Sequence, residues 1–186
     1  MVEQRCLAMR KVLDHRVPPY SRPMQAIDKP TAESTIDVSA PPDVIWRLIA
    51  DVTRTPEWSP VCYRCEWTNG GGTPVAGARF RGFNRLNGAK WSRECVVTEA
   101  EPGRTFAFST LFKGAESTRW RYRLDGSGST TTLSEAYEVV LVPPWLRVLR
   151  RVPGVKAKSE RDTEWNISSS LQRIKAIAED DKGTDA

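Results

Sequence analysis

The 186-residue sequence predicts an α+β domain in which about seven antiparallel strands form a curved sheet around a long C-terminal helix. Three patterns predict this fold class. One short strand is followed by two helical segments, residues 63–141 alternate apolar and polar side chains between turn signals, and the chain after Gly154 repeats apolar residues at helical spacing. Because one helix cannot fill a strongly curved sheet, we expect a cavity between the two.

The chain divides into a leader, one domain and a tail. Residues 1–31 contain four prolines, charges of both signs and little periodicity, which predicts a flexible leader. The domain spans residues 32–180, and residues 181–186 form the tail. The only histidine, His15, lies in the leader, so the domain lacks an imidazole for a hydrolytic triad. We therefore expect any acid–base chemistry to use a carboxylate, a phenol or a thiol.

The first elements are a strand and two short helices. Residues 33–39 alternate as a strand does, and Pro41 and Pro42 provide a helix start before Asp43. Apolar residues at helical spacing follow from Val44, until Thr55-Pro56 ends that helix and begins a short second one.

Six strands with a period of two come next, separated by glycine-rich turns. The Asn87-Gly88 pair is a strong hairpin signal. A helical pattern then covers residues 145–151, and a longer helix carries one apolar stripe at Ile167, Leu171, Ile174 and Ala178. The predicted strands span residues 63–67, 78–85, 90–100, 104–112, 117–124 and 130–141.

Three segments carry a family likeness. Residues 40–60 run from a strand end through a helix to Trp58-Ser-Pro60, residues 91–108 form a central hairpin, and residues 165–179 form a closing helix with Ser170 at a usual threonine position. Together they resemble the START-like or helix-grip (SRPBCC) superfamily, and within it the polyketide cyclase/dehydrase and lipid-transport group. The resemblance covers about residues 32–180 and implies the helix-grip fold. The family contains ligand carriers, cyclases and dehydratases, so fold alone does not select an activity.

Aromatic side chains are predicted to wall the cavity. Strand alternation places Trp120 and Tyr122 on one face, and Phe106 and Phe108 on one face of the preceding strand. Flat rings suit sterols, polyketides, quinones or acyl chains, although the same rings also serve as core packing. The predicted ligand contacts are Trp58, Trp91, Phe106, Phe108, Trp120, Tyr122 and Tyr137.

Three polar residues are candidates for catalysis. Glu135 and Tyr137 share the inward face of the last strand, where a buried carboxylate would have a raised pKa and act as general acid or base. Arg93, on the same face as Trp91, would bind a ligand carboxylate or enolate. The alternative is a structural ion pair between Arg93 and Glu135.

The four cysteines, Cys6, Cys62, Cys65 and Cys95, are expected to be free thiols. Cys62 and Cys65 form a CxxC motif, but the flanking residues alternate as in a strand. Two side chains three residues apart on a regular strand point to opposite faces, which argues against a metal or redox site. We expect no metal and no cofactor.

The net charge of +5 has one local source. Residues 145–161 carry six basic residues, among apolar ones, and only one acidic residue, Glu160. Such a segment can contact an anionic membrane transiently. The alternative is an ordinary solvated helix face. No recognisable motif supports nucleic-acid binding. The sequence shows neither a secretory signal nor an apolar run of roughly 18–20 residues, which predicts a cytoplasmic protein.

The leading functional prediction is binding or transport of a hydrophobic small molecule of the lipid, polyketide or quinone type in the internal cavity. The alternative is a metal-free enzyme, a cyclase/aromatase or dehydratase, that uses the inward carboxylate. A second alternative is a module that docks on a membrane or a protein partner through residues 145–161.

Overall fold

The computed structural model describes residues 31–68, 72–141, 151, 153 and 155–181. Strand β1 is followed by helix α1, a 3-10 helix and helix α2; six strands come next, and helix α3 closes the described chain. The α+β helix-grip prediction is confirmed, including the two short helices after the first strand. The bounds are β1 Ala32–Val38, α1 Pro42–Ala50, 3-10 helix Val52–Arg54, α2 Thr55–Trp58, β2 Cys62–Trp67, β3 Arg79–Leu86, β4 Ala89–Glu101, β5 Thr105–Phe112, β6 Ala115–Ser127, β7 Thr130–Val139 and α3 Val155–Asp181.

The seven strands form one antiparallel sheet in the order β1-β7-β6-β5-β4-β3-β2. Consecutive strands from β2 to β7 are neighbours, and β1 adds to β7 with Ile36 opposite Leu133. The predicted turn between β3 and β4 has positive φ at Asn87 (49°) and Gly88 (81°), as a two-residue hairpin requires. The sheet curves, and its concave face receives α3.

Helix α3 packs on the sheet through the stripe that the sequence predicts. Ile167, Leu171, Ile174 and Ala178 are all buried there. Polar contacts fix the end of the helix to the strand β1 terminus, because Lys175 Nζ donates to the Asp37 carbonyl at 2.7 Å. The helix therefore closes one side of the concave face, and its remaining length borders the space left above the sheet.

Helix α1 packs against β5, β6 and α3, and helix α2 packs against β2 and α3. Prolines lie in the first turn of α1 and of α2. Proline fits there because the backbone N–H groups of a first helical turn have no acceptor within the helix. Trp46 is half-buried against the core, and its indole nitrogen donates to the Thr105 carbonyl at 3.0 Å. Helix α2 brings Trp58 into the core beside β2.

Several predictions fall on residues outside the described part of the chain. They are the leader up to residue 30, the helical pattern at 145–151 apart from Arg151, and the tail from residue 182. No helix in the described ranges is long and apolar enough to cross a membrane.

Candidate functional site

A cavity of about 660 Å³ lies between the concave face of the sheet and helix α3. This volume falls in the range of roughly 300–1,000 Å³ that is usual for small-molecule sites. Strands β2 to β7 supply most of its wall, α2 borders it at Trp58, and α3 contributes Asn166, Ile167 and Ser170. The cavity reaches the protein surface beside exposed Thr31 and Lys158. The expected space between sheet and helix is therefore present.

The structure brings all the predicted site residues to this one cavity. The strand alternation that placed them on inward faces holds for β4 to β7, so their side chains converge. Their contact with a ligand and their catalytic roles stay predictions. The predicted residues that line the cavity are Trp58, Trp91, Arg93, Phe106, Phe108, Trp120, Tyr122, Glu135 and Tyr137.

An unbroken series of aromatic rings crosses the sheet from β3 to β7. Phe108 lies at its centre, with its ring centroid 5.2 Å from that of Phe80 and 6.3 Å from that of Trp120, nearly parallel to the latter. Trp120 in turn lies 4.5 Å from Tyr137. Sequence reasoning did not single out Phe80, although it occupies a strand position opposite Cys95. The wall offers flat, polarisable contact surface to an apolar ligand.

Glu135 is the one acidic side chain among the fully buried residues described. It is 2% exposed, and its Oε1 atom accepts a hydrogen bond from the Tyr122 hydroxyl at 2.8 Å. Burial raises the pKa of Glu135 to about 8, and the Tyr122 hydrogen bond offsets only part of that rise. Burial and the adjacent Glu135 also hold the pKa of Tyr122 well above its ordinary value. At neutral pH both groups are therefore mainly uncharged, and Glu135 is a carboxylic acid with a proton to donate.

The ion pair between Arg93 and Glu135 that the sequence left open does not form. The Arg93 guanidinium instead donates to the Ser92 carbonyl at 3.0 Å and lies 5.6 Å from the centroid of the Phe112 ring. Strand register explains this difference, since Arg93 sits on β4 opposite Gly82 while Glu135 lies on β7 opposite Tyr122. Strands β5 and β6 separate the two residues. Arg93 thus lines the cavity without neutralising Glu135.

The prediction that Cys62 and Cys65 face opposite ways is wrong. A β-bulge in β2 inserts Tyr63 as an extra residue, so Cys62 pairs with Asn84 and Cys65 with Gly82. Those two partners are two residues apart on β3 and share one face. Both cysteines consequently point inward, where they line the cavity with Cys95.

Three buried polar atoms at the cavity have no hydrogen-bond partner within the described structure. They are Trp58 Nε1, Glu135 Oε2 and Asn166 Oδ1. Asn166 was missed from the sequence, because a single polar residue beside the apolar stripe of α3 carries no distinctive signal. Folded proteins pair nearly all buried polar atoms, so three unpaired ones around one cavity require an explanation.

The expected absence of a metal and the expected membrane contact both stay predictions. In the described ranges no cluster of three or more histidine, cysteine or acidic residues is arranged to hold a metal ion. The segment expected to contact membranes, 145–161, lies largely outside those ranges, so membrane contact stays a prediction.

Comparison with known proteins gives a consistent family signal. The family model for polyketide cyclase/dehydrase and lipid transport matches residues 29–179. A polyketide cyclase-like protein from Corynebacterium glutamicum is 31% identical, with a TM-score of 0.54 over 81% of this chain and 92% of that one. No functionally curated protein matches the chain.

Two less similar solved structures share the fold. A START superfamily protein from Mycobacterium smegmatis is 15% identical, with a TM-score of 0.60 over 80% of this chain and 97% of that one. The Zhui aromatase/cyclase from a Streptomyces species is 18% identical, with a TM-score of 0.60 over 80% of this chain and 92% of that one.

Proposed function

The chain belongs to the polyketide cyclase/dehydrase and lipid transport family, a START-like group that binds hydrophobic ligands, and from this premise we propose that it carries a ring-containing apolar molecule in its cavity. The proposed ligand is of the polyketide or quinone type. The aromatic wall supports this choice, because ring faces at Phe108 and Trp120 are suited to stack on other flat rings.

The observation that carries the proposal is the set of unpaired polar atoms at Trp58, Glu135 and Asn166. Leaving a buried polar atom unpaired costs roughly 1–3 kcal/mol. A ligand that accepts from Trp58 and Glu135 and donates to Asn166 would satisfy all three atoms. Aromatic polyketides and hydroxyquinones carry carbonyl and hydroxyl groups around a rigid ring, whereas a simple acyl chain has polar atoms at one end only. The cavity therefore favours the ring class over acyl lipids.

A thermal-shift screen tests the proposal. The panel contains hydroxynaphthoquinones, aromatic polyketides and fatty acids. A ligand that binds only the folded state raises the melting temperature, and at equal concentration a tighter ligand raises it more. We expect rises with ring compounds and smaller ones with fatty acids. No rise with any ring compound would contradict the proposal.

A matched pair of variants on β3 shows whether the cavity is the binding site. A Cβ atom built at Gly82 meets only Cys62 Sγ, at 3.9 Å, so a leucine there projects into the cavity without backbone strain. The neighbouring Arg81 is exposed on the other face of the same strand. Gly82→Leu should abolish the thermal shift and Arg81→Leu should preserve it. A shift that survives in Gly82→Leu would place the ligand elsewhere.

A cyclase/dehydratase activity is the second candidate, and the uncharged state of buried Glu135 favours it. A neutral carboxylic acid can protonate a departing hydroxyl group, while the Tyr122 hydroxyl holds the other carboxyl oxygen in place at 2.8 Å. Arg93 and Tyr137 line the same cavity and would bind the enolate that forms.

Substitution of Glu135 distinguishes a carrier function from an enzymatic one. Once the screen identifies a ligand, its poly-β-ketone precursor is incubated with wild type and Glu135→Gln, and products are followed by mass spectrometry. An enzyme should lose turnover in Glu135→Gln by a factor of about 10²–10⁴, the usual contribution of a general acid. Equal product formation in both proteins would remove this candidate.

A further inference from the structure

Three buried thiols line one part of the cavity wall. Cys62 and Cys65 reach it from β2 because of the bulge at Tyr63, and Cys95 reaches it from β4. None of the three is in a disulfide. The proposed carrier function uses none of them, and apolar packing alone does not need a bulge that turns two cysteines to the same side.

The three thiols are not equivalent. The Cys62 sulfur donates a hydrogen bond to the Arg64 carbonyl at 3.2 Å. Hydrogen bonding with the neighbouring Cys65 thiol lowers the pKa of Cys62, although burial opposes the shift. The same contact, together with burial, raises the pKa of Cys65 far above its ordinary value. Burial raises the pKa of Cys95 to about 12. Of the described thiols, Cys62 is the most readily ionised, and thiolates are the reactive form of cysteine.

Cys62 also lies beside the groups that would hold a ligand carbonyl. The Cys62 backbone N–H donates to the Ser59 hydroxyl oxygen at 3.0 Å, which places Cys62 beside the end of α2 that carries Trp58, and both residues line the cavity. Tyr122 contacts Glu135 through its hydroxyl and Trp58 through its ring, with a ring centroid separation of 5.9 Å. A nucleophile and two unpaired hydrogen-bond donors, Trp58 Nε1 and the neutral Glu135, therefore border the same end of the cavity.

We propose that Cys62 captures α,β-unsaturated carbonyl ligands, such as quinone-type rings, as a thioether within the cavity. The Cys62 sulfur bonds to the β-carbon, the carbon–carbon π electrons move toward the carbonyl to form an enolate, and the proton released from sulfur ends on the α-carbon. The S–H group thus adds across one double bond, and no oxidant or reductant is consumed. Trp58 and Glu135 would stabilise the enolate oxygen by hydrogen bonding.

This proposal rests on the proposed function, since it assigns a reactive class to the ligand of the same cavity. The two are separated with a pair of probes of equal shape. N-phenylmaleimide is a flat apolar α,β-unsaturated imide, and N-phenylsuccinimide is its saturated analogue, which cannot react with a thiol. The protein is the full chain carrying Cys6→Ser, which removes the fourth thiol.

Adduct formation is followed by intact-protein mass spectrometry and peptide mapping, and binding of N-phenylsuccinimide by ligand-observed NMR. We expect one adduct at Cys62, formed about tenfold faster than at Cys65 or Cys95. The rate should saturate with N-phenylmaleimide concentration and fall when N-phenylsuccinimide competes. First reaction at another cysteine, or reaction at Cys62 without saturation or competition, would overturn the proposal.

The remaining outcomes divide the two claims. N-phenylsuccinimide binding without a Cys62 adduct would overturn thiol capture and leave the carrier function standing. Failure of N-phenylsuccinimide and of every ring compound in the thermal-shift panel to bind would contradict the carrier function itself.

Two substitutions of Cys65 test its role as a positioning residue. Cys65→Ala removes the donor and should slow the adduct at Cys62, whereas Cys65→Ser keeps a donor and should restore the rate. Circular dichroism confirms that each variant is folded. Equal rates in the alanine and serine variants would show that Cys65 does not activate Cys62.

Discussion

Ionisable side chains on the two faces of strands β6 and β7 have different partners. On the convex face, Arg119 binds Glu116 at 2.8 Å and Glu138 at 3.2 Å, and Arg121 pairs with Glu99. On the concave face, Glu135 is more deeply buried than any of these groups, yet its only described partner is the neutral Tyr122. The convex face uses charge to hold neighbouring strands together, and the concave face keeps an acid without a charged partner where a ligand would lie.

The pKa values of two glutamates express the same difference. Burial opposes ionisation of Glu116, but hydrogen bonds from Arg119 and Ser109 outweigh it and lower its pKa. Glu135 has no such donors of positive charge, and its pKa rises to about 8. The partly buried Glu116, held by Arg119, and the fully buried Glu135, without a positively charged partner, therefore shift their pKa values in opposite directions.

The largest expected effect is on the pH dependence of stability in Glu135→Gln. The folded pKa of Glu135 lies above its ordinary value of 4.5, so between about pH 4.5 and pH 8 the folded state binds more protons than the unfolded state. Wild-type unfolding free energy should fall across this window relative to the variant, by a few kcal/mol. Urea unfolding at pH 5, 7 and 9 measures the difference. Parallel curves for the two proteins would show that Glu135 is paired or solvated.

A smaller effect is expected when the one partner of Glu135 is removed. Tyr122→Phe leaves both carboxyl oxygens unpaired in the core, and this should cost about 1–3 kcal/mol of unfolding free energy at pH 6. Tyr63→Phe makes the same chemical change on an exposed side chain and should stay within about 0.5 kcal/mol of wild type. Equal losses of unfolding free energy in the two variants would show that the Tyr122 hydroxyl does not stabilise the fold.

The smallest effect is expected on the convex face. Arg119→Met removes both ion pairs of Arg119 and should cost at most about 1 kcal/mol at neutral pH, less in high salt. Because the side chain lies away from the cavity, ligand-induced thermal shifts should not change. A variant that loses ligand binding while remaining folded would show that the two faces are coupled.

Sequence reasoning predicted the fold and the inward face of each long strand, because both follow from residue periodicity. Phe106, Trp120 and Glu135 all lie where alternation places them. The alternation of side chains between the two faces of a strand is interrupted at a bulge, and no residue pattern around Tyr63 predicts one. The shared orientation of Cys62 and Cys65 was therefore missed.

The hydrogen-bond and ion-pair partners within the cavity could not be predicted from the sequence either. Arg93 and Glu135 face the same space, but which polar groups meet depends on strand order and register. The sequence offered Arg93 as the partner of Glu135, whereas Tyr122 is directly opposite Glu135 in the sheet. The unpaired atom of Asn166 depends in turn on how α3 is rotated over the cavity.

The protonation state of Glu135 tests the central claim most directly. With ¹³C-labelled glutamate, the side-chain carboxyl signal of Glu135 is assigned by its loss in Glu135→Gln and titrated by NMR in the ligand-free protein. The account predicts a midpoint near pH 8, in contrast to the ordinary range near 4.5. A midpoint at or below 4.5 would mean that Glu135 is charged and compensated, and the concave face would then hold no neutral acid for a ligand.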